Sequence, residues 1–234
     1  ARSTASMIGS LTNLFPVSIY QVKGGISEKL RQEMVKDIDL SIEEAGPTRS
    51  TGTWTGDCNG YHAIHNSAVY KPVFDVFSIA VREYITSLGC NPEMYTYYYT
   101  RSWGVRQTVG KELPPHTHAV SHLSGVYYPK APEGSGNFVV SNPDPANQLF
   151  TGMYEEEYYV DGTLDPTNPL CAQEASFKVS EDLLLLFPSK TMHKTLPNTS
   201  EEARYSITTD ILFILKDASK KEAGMNPIHE WKKA

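Results

Sequence analysis

The stretch "PPHTHAVSHLSGVYYP", Pro114–Pro129, carries three of the seven histidines of the chain. His116 and His118 stand two positions apart, and alternate residues of an extended strand project from one face. The residues that follow, "SHLSGVYY", predict a buried strand, so both imidazoles are expected together at its mouth. Imidazole is the commonest protein metal ligand, and this spacing aims two rings at one point. Taken alone, such a pair is also compatible with an ordinary surface or core role.

Outward from this stretch the texture is that of a β protein. "EMYTYYYTRSW" precedes it, rich in aromatic and β-branched residues, and Gly110 with the Pro114–Pro115 pair punctuates the interval. "GSGNFVVSNPDP", "ASFKVSEDLLLLFPS" and "ARYSITTDILFIL" follow as further short strands between Gly, Pro, Asn and Asp breaks. Upstream, two segments predict helices. In "GGISEKLRQEMVKDIDLSIEEAG" Ser27 is the expected N-cap, Leu30, Met34 and Ile38 recur at helical steps, and Gly46 is the expected stop. In "YKPVFDVFSIAVREYITSLG" Pro72 suits the first turn, Phe77, Ala80, Val81, Tyr84 and Leu88 form the apolar stripe, and Gly89 ends it. The fold class predicted is mainly β with flanking helices, a sandwich or jelly roll. One domain spans 1–234, with 1–90 as helical support, 91–215 as the jelly-roll core and 216–234 as a charged tail.

Composition sets limits. With 234 residues, 40% of them hydrophobic, the chain can build one substantial core. A net charge of −6 without any basic run argues against a grip on nucleic acid backbones. No apolar stretch is long enough for a membrane span, and the amino-terminal "ARSTASMIGSLTNLFPV" lacks the architecture of a cleavable leader. Cys58, Cys90 and Cys171 are odd in number and widely spread, which suggests reduced thiols in a cytoplasmic setting and small buried side chains rather than a disulfide frame. Between Pro143 and Phe177 runs a long connection, a candidate lid or a surface loop, in which Glu155–Glu157 reads as a solvated face.

Two distant features bear on the histidine pair. His193 follows the apolar run Leu183–Phe187 after a short connection, so it too lies just beyond a strand. Arg204 opens the next strand, with Ser206 two residues on and therefore on the same face. His62, His65 and His229 read as surface or hydrogen-bonded core residues. Tyr97, Tyr99 and Trp103 alternate on one strand and are expected either to line a barrel or to fill its core.

In combination these motifs resemble the iron(II)/2-oxoglutarate-dependent oxygenases, in particular a branch marked by H-x-H, Ser-Gly-x-x-Tyr, a distal His and a closing Arg-x-Ser. The chain supplies His116-Thr117-His118, Ser124-Gly125-Val126-Tyr127-Tyr128, "NFVVSNPDP", "LLLLFPSKTMH" and "RYSI" in that order, with Trp103 and "LFPVSIY" upstream. The resemblance implies a double-stranded β-helix with Fe(II) at its open end, held by His116, His118 and His193. It further implies 2-oxoglutarate as cosubstrate, its far carboxylate bound by Arg204, eleven residues past His193, with Ser206, Tyr128 and Ser124 nearby. The other implied partners are dioxygen and an unidentified peptide or small-molecule substrate, reached past Tyr97, Tyr99 and Trp103; a homo-oligomer is compatible. The implied reaction is hydroxylation with release of succinate and carbon dioxide. One departure stands out, because the wider superfamily uses H-x-D/E and this chain places His118 where the acid belongs. Three ligand alternatives remain open at the sequence level: all three histidines, only one of His116 and His118 with His193, or a contribution from His122. A cupin-like binding module or a three-His zinc hydrolase remains the alternative function.

Overall fold

The computed structural model describes Ser10 and residues 12–45, 53–54, 62–217, 225 and 227–233. Its strands are β1 (Tyr20–Lys23), β2 (Thr53–Trp54), β3 (Tyr95–Gln107), β4 (Leu113–His116), β5 (Leu123–Lys130), β6 (Phe138–Ser141), β7 (Glu174–Phe177), β8 (Leu183–Pro188), β9 (His193–Thr195) and β10 (Arg204–Leu215). They form a six-stranded sheet in the order β1-β8-β5-β10-β3-β2 and a four-stranded sheet in the order β4-β9-β6-β7. The two sheets face each other as a double-stranded β-helix, the jelly roll expected. The supporting region is not purely helical, since β1 extends the large sheet beside β8 and β2 extends it beside β3.

Helices α1 (Glu28–Ala45) and α2 (Lys71–Ser87) cover the outer face of the large sheet. Met34 and Ile38 of α1 are wholly buried, and the Ser27 carbonyl accepts the Arg31 N–H at 3.0 Å, so the helix starts where the sequence predicts; Gly46 lies outside the described residues. In α2, Phe77, Ala80, Val81 and Tyr84 are buried but Leu88 is exposed. The stripe ends early because the helix stops at Ser87 and Gly89, at φ +81°, turns the chain away.

The run Leu183–Phe187 is apolar without alternation because both faces of β8 are covered. Leu184 and Leu186 pack towards the helices with Phe77, Tyr127 and Ile207, while Leu183, Leu185 and Phe187 pack between the sheets with Val126, Tyr128 and Phe138. Each such buried side chain contributes about 1.5–3 kcal/mol.

Two local features differ from the sequence reading, and both decide where the site lies. First, H-x-H and "HLSGVYY" do not share a strand. His116 ends β4 in the small sheet, the chain crosses over at 117–122, and β5 belongs to the large sheet. Second, the β3–β10 ladder pairs Asp210 with Arg101 but Ile211 with Tyr99, so Thr100 is an extra, bulged residue. A one-residue insertion reverses the side-chain parity of a strand. Tyr97 and Tyr99 therefore do not line the barrel. Tyr99 donates to the Phe74 carbonyl of α2 at 3.1 Å, and Tyr97 packs edge-on against Phe213 at 5.2 Å. Beyond the bulge, Arg101, Trp103 and Val105 face inward.

The long connection contains α3 (Glu156–Val160) and leads to β7; none of its residues lines the cavity between the sheets. Of the cysteines, Cys90 is exposed rather than buried and Cys171 is half-buried, both as free thiols, and Cys58 lies outside the described residues.

Candidate metal centre and anion pocket

Between the sheets, open at one end, is a cavity of about 410 Å3. At its mouth the β4–β9 register sets His116 directly across from His193, with ring centroids 4.2 Å apart. His118 sits in the crossover, where its backbone N–H donates to the Ser189 carbonyl at 2.9 Å. Its ring lies 5.4 Å from that of His116 and 5.2 Å from that of His193. One ligand atom from each of the three falls within 4.8 Å of the others.

Hydrogen bonds identify which nitrogen each ring offers. The Nδ1 of His116 is 2.8 Å from the Pro114 carbonyl, and the Nδ1 of His193 is 2.8 Å from the Thr191 carbonyl. A carbonyl only accepts, so both rings carry the proton on Nδ1 and keep a lone pair on Nε2. The Nδ1 of His118 is 2.5 Å from Oδ1 of Asp210, which places its proton in the same way. Burial lowers the pKa of His116 and lowers that of His193 to about 3, so both stay neutral, the form that binds a cation. Three imidazoles turning Nε2 towards one point fit a divalent transition metal.

At the deep end lies Arg204, only 2% exposed. Its Nη1 donates to the Gly136 carbonyl at 2.6 Å, its Nη2 donates to Oε1 of Gln107, and the Tyr128 ring lies 5.5 Å from the guanidinium carbon. Nε is buried without a partner, and among the described residues Arg204 has no carboxylate counter-ion. Glu202 instead pairs with Lys130 at 2.6 Å. A buried, uncompensated cation is costly unless an anion joins it. Ser206 and Tyr128 line the same cavity. The pocket thus fits a carboxylate at its base and a metal at its mouth.

The remaining expectations divide. Ser124 does not line the cavity; its hydroxyl lies behind His118, 3.0 Å from Nδ1 and 2.9 Å from Ser189 Oγ. His122 turns away from the centre. Its Nδ1 accepts the Phe213 N–H at 3.1 Å, and the ring stacks on Phe213 beside a separate cavity. Trp103 lines the cavity, 5.8 Å from the His118 ring. Asp210 and Gln107 are absent from the sequence reading. For Asp210 a signal existed: Arg204, Ser206, Thr208 and Asp210 make a polar row at alternate positions of an otherwise apolar strand. Nothing comparable marks Gln107.

The sequence profile of the family described as "Putative 2OG-Fe(II) oxygenase" matches residues 101–210, a span that contains all three histidines, Arg204 and Asp210. No curated protein matches the chain. Among solved structures, the chain is similar to the non-heme alpha ketoglutarate dependent epimerase SnoN from nogalamycin biosynthesis, with TM-score 0.58, 10% identity, and coverage of 91% of this chain and 88% of that one. It is similar also to HygX from Streptomyces hygroscopicus, solved with nickel and 2-oxoglutarate, with TM-score 0.54, 13% identity, and coverage of 90% and 92%. A Pseudomonas putida prolyl-4-hydroxylase has TM-score 0.50 and 15% identity, with coverage of 84% and 92%. At such identities these likenesses establish a shared fold.

Proposed function

We propose that the chain, whose residues 101–210 match the oxygenase profile, is an iron(II)- and 2-oxoglutarate-dependent oxygenase that hydroxylates a C–H bond of a peptidyl residue such as proline, or of a small metabolite, presented at the open end of the cavity. The observation that carries this reading is one cavity holding three convergent imidazoles and, at its base, a buried guanidinium without a carboxylate counter-ion among the described residues. Iron(II) held through Nε2 of His116, His118 and His193 supplies dioxygen activation coupled to decarboxylation of 2-oxoglutarate to succinate.

The protein's own residues hold and orient. Arg204 is preset by Gly136 and Gln107, so its planar fork meets a carboxylate without further ordering. Ser206 offers a hydroxyl beside it. Tyr128, Val126, Phe138 and Phe187 wall the pocket and keep bulk water from the reacting end. A three-His hydrolase has no use for the uncompensated Arg204, which favours the oxygenase. Free thiols at Cys90 and Cys171 support a reducing, cytoplasmic setting, and among the described residues no helix is long and apolar enough to cross a membrane.

The test is anaerobic addition of Fe(II) and 2-oxoglutarate, followed by succinate release in air against a panel of peptides and metabolites. Wild type should show a visible metal-to-ligand band and His193→Ala should lose both band and succinate. Equal behaviour of the two would remove His193 from the metal. Indifference of both to 2-oxoglutarate and to Arg204→Ala would favour the hydrolase.

A further inference from the structure

Asp210 is 4% exposed, in the middle of β10, and has no place among the ligands that the resemblance implies. Its Oδ1 accepts Nδ1–H of His118 at 2.5 Å, with the hydroxyls of Ser121 and Ser124 at 3.2 and 3.4 Å. Ser189 Oγ braces both serines, at 2.8 and 2.9 Å. The other two histidines are backed only by neutral backbone carbonyls. We propose that Asp210 is the positioning residue of the metal centre, placing one imidazole behind the metal the carboxylate that the two-His-one-carboxylate face puts directly on it. This rests on the oxygenase reading of the site.

Two observations and one general rule converge on it. His118 lies in a crossover rather than a strand, so the sheet does not set its ring, whereas His116 and His193 are aligned by the β4–β9 ladder. The bulge at Thr100 falls beside Asp210, and bulges recur where a side chain must be re-aimed at a site. A carboxylate behind a ligating histidine fixes its tautomer, aims Nε2 and raises its basicity. His118 at the acid's position thereby keeps the centre's overall charge close to that of the common triad, with the negative charge one ring further out.

Asp210→Asn tests this without depending on turnover. Its Oδ1 can still accept from Nδ1–H, so the ring stays supported while the charge is lost. Fe(II) and Co(II) binding to wild type and variant is measured anaerobically, together with the Co(II) ligand-field spectrum and urea unfolding of both apoproteins. The expected result is roughly 10–100-fold weaker metal binding and displaced Co(II) bands at near-native stability. Ser121→Ala, which keeps the carboxylate, should stay within a few-fold of wild type. A folded Asp210→Asn with wild-type affinity and spectrum overturns the proposal. If the variant fails to fold, Co(II)-loaded wild type decides: three exchangeable, paramagnetically shifted Nδ1–H resonances are expected, and only two would remove His118 from the metal. Wild type that binds metal and 2-oxoglutarate while Asp210→Asn matches it sinks this inference alone; wild type that binds neither sinks the oxygenase reading as well.

Discussion

At the scale of single residues, the site is built from side chains whose second atoms are already committed. Each histidine spends Nδ1 on a local acceptor, and Arg204 spends Nη1 and Nη2 on Gly136 and Gln107. What remains, Nε2 of each ring and, on the guanidinium, the Nε–H with the second N–H of each Nη, is what a ligand can use. Arg204→Lys separates charge from shape. A lysine keeps the positive charge but cannot reach Gly136 and Gln107 while presenting a planar fork. Charge-assisted hydrogen bonds are worth about 1.5–3 kcal/mol, so KM for 2-oxoglutarate should rise by roughly 10- to 150-fold. The metal affinity, measured without 2-oxoglutarate, should stay unchanged.

At the scale of elements, packing rather than chemistry explains one residue of the Ser-Gly-x-x-Tyr motif. A Cβ on Gly125 would lie 2.5 Å from Phe77 Cε1 and 2.9 Å from Leu186 Cδ2. Helix α2 can therefore sit on β5 only over a glycine. Gly125→Ala should destabilise the fold by about 1–3 kcal/mol through overpacking, read as a lower urea midpoint at unchanged slope. Its neighbours in the motif face the other way and serve the cavity or its support. The sequence pattern alone does not separate these roles, because a motif records residues and not the faces they occupy. The bulge at Thr100 is a sharper case. "YTYYYTRSW" alternates smoothly, and only pairing with β10 shows that its register skips a residue.

At the scale of the whole molecule, the core does not depend on the metal. Two apolar layers are assembled from Leu, Ile, Val, Phe and Tyr: one under the helices, on the far face of the large sheet from the cavity, and one between the sheets, where Phe138 and Phe187 pack against His193. A chelator should abolish succinate formation and leave far-ultraviolet circular dichroism unchanged. The thermal midpoint should fall only by the linkage owed to lost binding, about 2.7 kcal/mol for a metal held at a hundredfold excess over Kd. Unfolding on chelation would instead mark the metal as structural.

The two helices and the β-rich remainder were legible in the sequence because periodicity is a local property, while His116, His118, His193 and the Arg-x-Ser pair stood out as candidates through a family resemblance that left the ligand set open. It took the folded chain to show that H-x-H leaves the small sheet while "HLSGVYY" enters the large one, that Tyr97 and Tyr99 face the helices, that Ser124 stands behind His118, and that Asp210 meets it. These depend on register and crossover, in which residues 92 positions apart, His118 and Asp210, come within 2.5 Å. No short-range pattern carries that information: strand pairing is fixed by burying both faces of the large sheet at once.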